Sequence, residues 1–239
     1  MKKLKTLGIV ATVFLVLVMA VFAVFAALGF FEIKTDENGR NEIIFSPFVD
    51  KNKVFDWQVS KTEGDITAVF KTSEGNFEVK LGDCSAAEKF IELKNAGFFD
   101  EAEFSVAAEN MFIQTSVSGE GFSIEENEFG CINGAVGFVM EEGTAYPSIV
   151  IITAEELSNA SKGFLKNSGF DEERIELYEN FGGIPEYEGK IAVFGMISSG
   201  ENVIEKIKNS ENSGYTGGFS LLEPIKIKSV EISYPTEEN

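Results

Sequence analysis

Residues 70–104 read FKTSEGNFEVKLGDCSAAEKFIELKNAGFFDEAEF, and this stretch sets the expected fold. Apolar and polar residues alternate on both sides of the turn-forming triplet Ser73-Glu74-Gly75, which is the pattern of a β-hairpin with one buried face. An apolar stripe from Phe90 to Leu93 follows at helical spacing and stops at Gly97, which predicts a helix. The stretch therefore predicts a hairpin, a helix and a turn, in that order.

Short strand candidates recur through the rest of the chain, separated by turns rich in glycine or acidic residues. They cover Glu103 to Val106, Met111 to Val117, Ala135 to Met140, Ser148 to Ile152, Lys190 to Ile197 and Ile225 to Ile232. Many short strands with few helices favour a closed antiparallel barrel or a sandwich. Residues 153–185 change to a helical period, so we expect a helical insertion in a mainly β domain. A further helix is expected over residues 201–208.

The composition excludes several classes of function. The chain has 239 residues and a formal net charge of −19. A surface with this charge repels nucleic acid, so no nucleic-acid partner is expected. It has no histidine, which removes the commonest metal ligand and every His-dependent triad. We expect no metal and no cofactor. Cys84 and Cys131 match no metal or redox spacing and are interpreted as buried thiols or as one disulfide.

The amino-terminal region predicts a membrane segment. The uncharged run from Leu7 to Phe31 is LGIVATVFLVLVMAVFAVFAALGFF. As a helix it would reach roughly 37 Å, enough to cross a hydrocarbon core of about 30 Å. We predict a transmembrane anchor over residues 1–31, with a cleaved secretory signal as the alternative. Lysines precede the run and acidic residues follow it, so the positive-inside rule leaves the amino terminus in the cytoplasm.

The expected location is therefore the cell membrane, crossed once, with the carboxyl-terminal domain outside the cytoplasm. If the signal is cleaved, the domain is secreted. Residues 32–62 are polar with one strand candidate at 54–59 and are interpreted as a juxtamembrane spacer. Residues 63–235 are expected to form the globular domain.

Four segments of the chain match ordered motifs. They are the stretch at 70–104, MFIQ at 111–114, SIVIIT at 148–153 and YEGKIAVFGMISSGENVIEKI from Tyr187. They resemble, in the same order, the opening of the cyclophilin family of peptidyl-prolyl cis-trans isomerases and its Phe-Met-Ile-Gln, Ser-Gln-Phe-Phe-Ile-Thr and Leu-Asp-Gly-Lys-His segments. The insertion resembles a Tyr…Gly-Gly-x-Pro stretch of some bacterial members. The resemblance implies an eight-stranded antiparallel β-barrel capped by helices, with a peptide groove on one barrel face.

Valine stands where the resemblance places the catalytic arginine. The family's Phe-His-Arg motif reads Phe104-Ser105-Val106 here. Rotation about an X-Pro bond faces a barrier near 20 kcal/mol, which a fixed donor lowers by stabilising the twisted amide. Valine has neither a donor nor a charge, so we expect a rate loss on the order of 10² to 10³ by analogy with removal of one oxyanion-hole donor.

The resemblance also assigns the other groove positions. Ile149 stands at the family's groove glutamine, and Ile151 stands at the aromatic residue that floors the proline pocket. Glu186 takes the Trp/His position, and Ile191 takes the place of the histidine. The full set of predicted groove residues is Met111, Phe112, Gln114, Phe138, Ile149, Ile151, Glu186 and Ile191, and none is assigned a catalytic role. The alternative for Gln114 is a structural hydrogen-bonding role, and ordinary barrel core is the alternative for Met111, Phe112, Phe138 and Ile151.

Three functions remain open from the sequence. The first is a weak prolyl isomerase that assists folding at the outer membrane surface. The second is a non-catalytic module that binds proline-containing peptides or secreted and membrane proteins. The third is a structural subunit of an envelope complex. The replaced arginine favours the second over the first, and the amino-terminal helix is the expected contact with the membrane.

Overall fold

The computed structural model describes residues 31–35, 41–45, 51–60, 65–125 and 127–235, and for 31–35, 41–45 and 51–54 it describes the backbone alone. Within these ranges, no helix is long and apolar enough to cross a lipid bilayer. The anchor predicted over residues 1–31 lies outside the described residues except for its last position, so it stays a prediction.

The chain divides into two compact units, with the division after Lys51. The first unit contains an antiparallel hairpin of strands β1 (Phe31–Thr35) and β2 (Asn41–Phe45). The spacer interpretation of residues 32–62 did not include this hairpin. The second unit, from Asn52 onward, contains the barrel and the helices that pack on it.

Helix α1 (Lys51–Val59) forms where the sequence predicted a strand at 54–59. Gln58 is 2% exposed, and its carboxamide donates to the Gly130 carbonyl oxygen at 3.0 Å and accepts from the Gly130 N–H at 2.8 Å. These paired bonds hold the helix to a loop of the barrel unit. Most of this helix therefore belongs to the second unit, which begins at Asn52.

Lys80 caps the carboxyl end of α1. Its ammonium donates to the carbonyl oxygens of Trp57 and Ser60 and lies 4.6 Å from the centroid of the Trp57 ring. The last carbonyls of a helix lack intrahelical partners and favour a cation. Burial lowers the pKa of Lys80, and the negative charge of Asp65 opposes that shift.

Eight strands form a closed antiparallel barrel, as predicted. They are β3 (Thr67–Thr72), β4 (Asn76–Leu81), β5 (Glu103–Ala108), β6 (Phe112–Thr115), β7 (Ala135–Glu141), β8 (Thr144–Ile152), β9 (Ile191–Ser199) and β10 (Ser220–Ser233). The order around the barrel is β10-β3-β4-β9-β7-β8-β6-β5. The long strand β10 closes the barrel because it pairs with both β3 and β5. Closure leaves no unpaired strand edge in the barrel.

Aromatic rings fill much of the barrel core. Helix α2 (Ser85–Asn95) contributes Phe90, whose ring centroid lies 4.7 Å from Phe194, 5.3 Å from Phe99 and 5.9 Å from Phe70. Phe70 also stacks on Phe77 at 4.8 Å. Ring pairs at such distances add to the free energy gained by burial. The hairpin and helix of the 70–104 stretch thus supply the centre of the core.

The helical insertion contains α3 (Asn159–Leu165), α4 (Glu172–Phe181) and a 3₁₀ turn at Pro185–Tyr187. Its apolar residues form a second buried cluster with the outer face of the barrel. Gly183 allows this close packing, since its φ is +113° and an added Cβ would lie 2.4 Å from the Cys131 carbonyl oxygen. Helix α5 (Glu201–Lys208) precedes β10, as predicted.

Both cysteines are free thiols. Cys131 is 1% exposed, and Cys84 is half-buried. Burial raises the pKa of both thiols, so each remains protonated at neutral pH. Of the two interpretations of the cysteines, the structure agrees with the thiols and not with the disulfide.

Candidate functional site

Three residues form a lateral row across strands β5, β6 and β8. Val106 pairs with Gln114, and Gln114 pairs with Val150. Directly paired residues of antiparallel strands place their side chains on the same face. The next pair along, Ile113 and Ile151, lies in the barrel interior. Because successive residues alternate between faces, the row of Val106, Gln114 and Val150, called the Gln114 row below, faces outward.

Gln114 is half-buried, and Ser148 fixes its orientation. Its Nε2 donates to Ser148 Oγ at 3.1 Å, and that hydroxyl donates to the Thr115 carbonyl oxygen at 2.6 Å. These bonds engage the nitrogen of the carboxamide. A ligand over the Gln114 row would therefore meet the carboxamide oxygen, which accepts hydrogen bonds from a peptide N–H.

Val106 is half-buried between Gln114 on β6 and Ser220 on β10. Its isopropyl group can neither donate a hydrogen bond nor carry charge. Arg174 is the one arginine within the described ranges, and its guanidinium is bound to Glu188 at 2.8 Å. No guanidinium from the described part of the chain therefore reaches the Gln114 row.

Apolar side chains lie beside the Gln114 row. Met111 and Phe112 are half-buried, and the ring centroids of Phe112 and Tyr187 are 5.9 Å apart. We call Met111, Phe112 and Tyr187 the apolar shelf. Gly137 of β7 pairs with Val150 and so extends the Gln114 row onto β7. Ile191, which is 7% exposed, covers Gly137, since a Cβ added to this glycine would lie 2.5 Å from Ile191 Cγ2.

Three of the predicted groove residues lie in the barrel interior. Phe138, Ile149 and Ile151 are each 0% exposed and belong to the central core cluster. A ligand on the outer face of the barrel cannot contact side chains that have no exposed surface. The groove assignment of these three residues therefore does not fit the structure.

Ile149 and Ile151 lie on the inner face of β8, whereas the groove assignment requires them on the outer face. Successive residues of a strand point to opposite faces, so a shift of one residue exchanges the inner and outer sets. The outward positions on β8 are Ser148 and Val150, which are 8% and 3% exposed, and neither was predicted as a site residue. The pairing of Gln114 with Val150 is the signal that locates them.

Glu186 connects this region to the helical insertion. Its Oε1 accepts a hydrogen bond from Ser161 Oγ of α3 at 3.0 Å. The next residue, Tyr187, was not predicted as a site residue and contributes its ring to the apolar shelf. Burial and then the negative charge of Glu186 raise the pKa of Tyr187, so its hydroxyl stays protonated at neutral pH.

A buried ion pair holds the segment that carries Glu186 and Tyr187. The Nε and Nη2 atoms of Arg174 each donate to an oxygen of Glu188 at 2.8 Å. The Tyr178 hydroxyl donates to Glu188 Oε1 at 2.5 Å and accepts from the Cys131 N–H at 2.8 Å. A bidentate arginine pair is geometrically specific. Helix α4 therefore supports the apolar shelf through Glu188.

The closed eight-stranded antiparallel barrel, its helices and the outward row around Gln114 define a cyclophilin-like domain. Residues 67–232 match the family model described as "Cyclophilin type peptidyl-prolyl cis-trans isomerase/CLD". The match spans more than half of the chain. The chain therefore belongs to the cyclophilin-type peptidyl-prolyl cis-trans isomerase family.

Proteins similar in sequence carry the name of the same family. A protein of Staphylococcus epidermidis that carries the name peptidyl-prolyl cis-trans isomerase is 24% identical over 168 residues, covering 62% of this chain and 84% of the relative. A protein of the same name from Staphylococcus aureus is 25% identical over 168 residues, with the same coverage of both chains.

Two crystal structures of a Cryptosporidium parvum cyclophilin-type isomerase have the same fold. The first has a TM-score of 0.53 at 14% identity and covers 72% of this chain and 99% of its own. The second was determined in the presence of the dipeptide Ala-Pro; its TM-score is 0.52 at 16% identity, covering 70% of this chain and 98% of its own.

Proposed function

We propose that this protein is a membrane-anchored, extracytoplasmic cyclophilin-like module that binds proline-containing peptides and is weak or inactive as an isomerase. One observation carries the proposal: valine occupies the position beside Gln114 where the resemblance places a catalytic arginine. The binding surface around that position remains apolar and keeps one oriented hydrogen-bond acceptor.

The loss of the arginine separates catalysis from binding. Catalysis requires an interaction that is stronger with the twisted amide than with the planar one. A guanidinium donor can supply such an interaction, but the Val106 side chain cannot. Apolar contact and a hydrogen bond to the peptide backbone stabilise the planar and twisted forms about equally, so they give affinity without acceleration.

The features suited to binding lie together on the outer face. The apolar shelf can contact a pyrrolidine ring, and the oriented Gln114 oxygen can accept from a neighbouring peptide N–H. The related Cryptosporidium parvum structure determined with Ala-Pro supports a proline ligand for this fold. The partners proposed here are proline-containing segments of secreted or membrane proteins.

The sequence supports the proposed location. Three lysines at positions 2, 3 and 5 directly precede the apolar run, whereas the nine residues after it carry two basic residues, Lys34 and Arg40, among three acidic ones. This asymmetry favours a cytoplasmic amino terminus and an exported domain. A cleaved signal would export the same domain without an anchor.

Peptide binding tests the proposed surface directly. The probe is a fluorescein-labelled decapeptide with one central Ala-Pro, titrated by fluorescence anisotropy into the full-length chain in lipid nanodiscs. Replacement of Met111 by aspartate should abolish binding, because it places a charge on the apolar shelf. Replacement of Gln114 by alanine should weaken binding by about 2- to 10-fold through loss of one hydrogen bond.

The matched control is Tyr234→Asp, which adds the same charge at a residue that is 60% exposed beyond the end of β10. This variant should bind the probe like the unmodified chain. If Met111→Asp leaves the dissociation constant unchanged while the protein stays folded, the peptide site lies elsewhere.

A further inference from the structure

A loop at the other end of the Gln114 row is built against β5. In the segment that joins α5 to β10, Asn212 Nδ2 donates to the Ala107 carbonyl oxygen at 3.1 Å, and Asn212 Oδ1 accepts from the Gly214 N–H at 2.9 Å. The Ala107 N–H in turn donates to the Phe219 carbonyl oxygen at 3.0 Å. The loop is therefore fixed next to the residue that follows Val106.

This loop and the start of β10 present apolar side chains at the surface. Tyr215 is 85% exposed, and its ring meets Phe219 edge to face at 5.9 Å. Leu222 is 58% exposed, whereas the adjacent Leu221 is buried at 6%, so alternation places Leu222 on the outer face of β10. We call Tyr215, Phe219 and Leu222 the aromatic loop.

The aromatic loop is continuous with the Gln114 row. Ser220 of β10 pairs with Val106, which pairs with Gln114. Neighbouring strands lie about 4.8 Å apart, so Ser220 and Gln114 are separated by about 10 Å, the span of roughly three residues of extended peptide. An arginine at position 106 would place a charge between the apolar shelf and the aromatic loop. Valine instead leaves no charge between them.

The charge around the loop indicates the kind of partner. Glu109, Glu211 and Glu223 are exposed on the segments next to the aromatic loop, and Lys226 lies further along β10, 4.0 Å from Glu103. The whole chain carries −19. Acidic surroundings attract a basic ligand and repel an acidic one.

Building on the proposed function, we propose that the aromatic loop is a second subsite for the same peptide. It accepts an aromatic or aliphatic side chain three to five residues away from the proline, in an extended segment that carries basic residues. With valine at position 106, no charge separates the two subsites, so the module recognises two apolar anchors instead of a single proline.

Three labelled peptides test this subsite on the full-length chain in lipid nanodiscs. The first has a central Ala-Pro, a phenylalanine four residues to each side and a lysine at each end. The second replaces both phenylalanines with serine, and the third replaces both lysines with glutamate. We expect the first peptide to bind about tenfold more tightly than the second, since one phenylalanine is buried on the loop. The third should bind more weakly than the first.

The variant pair locates the effect. Tyr215→Ser combined with Leu222→Ser should remove the tenfold difference between the first two peptides, and Tyr234→Ser, the control at another exposed tyrosine, should keep it. Equal binding of the first two peptides to the unmodified chain, or a difference that survives the double substitution, would overturn the second subsite alone. If none of the three peptides binds, the proposed function fails as well.

Discussion

Replacing Arg174 with leucine should lower the free energy of unfolding by about 3–5 kcal/mol, the cost typical of breaking a buried ion pair. The side chains of Arg174 and Glu188 are only 11% and 19% exposed. The substitution leaves the Glu188 carboxylate without its bidentate partner in a poorly hydrated site. In the unmodified chain the guanidinium lies over the rings of Phe55 and Phe170, and leucine would retain apolar contact with both rings. Lost charge pairing would thus dominate the result.

Urea unfolding followed by the fluorescence of the single tryptophan, Trp57, measures this effect in the barrel unit. The control is Lys71→Ala, which breaks an exposed ion pair with Glu231 and should cost less than about 1 kcal/mol. The double variant Arg174→Leu/Glu188→Leu should be more stable than the single one, because it removes the unpaired charge. A cost for Arg174→Leu no greater than that of the control would show that the ion pair does not hold the insertion.

Replacing Ile151 with aspartate should destabilise the barrel by more than about 4 kcal/mol, since it places a carboxyl group in the apolar interior. Ile151 is 0% exposed, and its paired neighbour Ile113 is equally buried. The expected result is a protein that fails to unfold cooperatively or that unfolds at a much lower urea concentration. The experiment tests directly which face of β8 forms the core.

Gln114→Asp is the matched comparison on the outer face. It introduces the same group at a half-buried residue and removes the hydrogen bond to Ser148, so its cost should stay near 1 kcal/mol. If Ile151→Asp were tolerated as well as Gln114→Asp, then Ile151 would face outward, and its original assignment to the groove would be restored.

The alternation and turns in residues 70–104 were enough to predict a hairpin and a helix, because each local signal agreed with the packing. The choice of a barrel over a sandwich came from the resemblance to the cyclophilin family. Phe70 and Phe77 alternate with polar residues and both enter the core, and the helix between the hairpin and β5 adds Phe90 to it. Local pattern and tertiary structure support each other there. The helical insertion was predicted for the same reason, from a change of period.

The register of β8 could not be read from the strand itself. Residues 148–152 are almost uniformly apolar, and both faces of the strand are buried, so no alternation marks the inner side. A register shift between Phe138 and Val139 also means that the facing of residues on β8 cannot be obtained by counting from the turn between β7 and β8. Only the pairing with Gln114, a long-range contact, decides the facing of Ser148 and Ile149.

Helix α1 was missed because its stability comes from tertiary contacts. Its sequence, KNKVFDWQV, has β-branched and aromatic residues at positions that favour a strand. The bonds from Gln58 to Gly130 and from Lys80 to the last carbonyls of the helix join residues far apart in the chain. Such contacts override local propensity and are invisible in a local pattern.

If the outer face binds peptides without effective catalysis, as we propose, a prolyl isomerisation assay should detect little activity. The full-length chain in nanodiscs and a cyclophilin that retains the arginine should be measured side by side on one Ala-Pro peptide at equal enzyme concentration. We expect a kcat/KM on the order of 10² to 10³ lower for this chain, since Val106 supplies no donor to the twisted amide. A kcat/KM within tenfold of the arginine-containing enzyme would overturn the proposed loss of catalysis and show that another group supplies the donor.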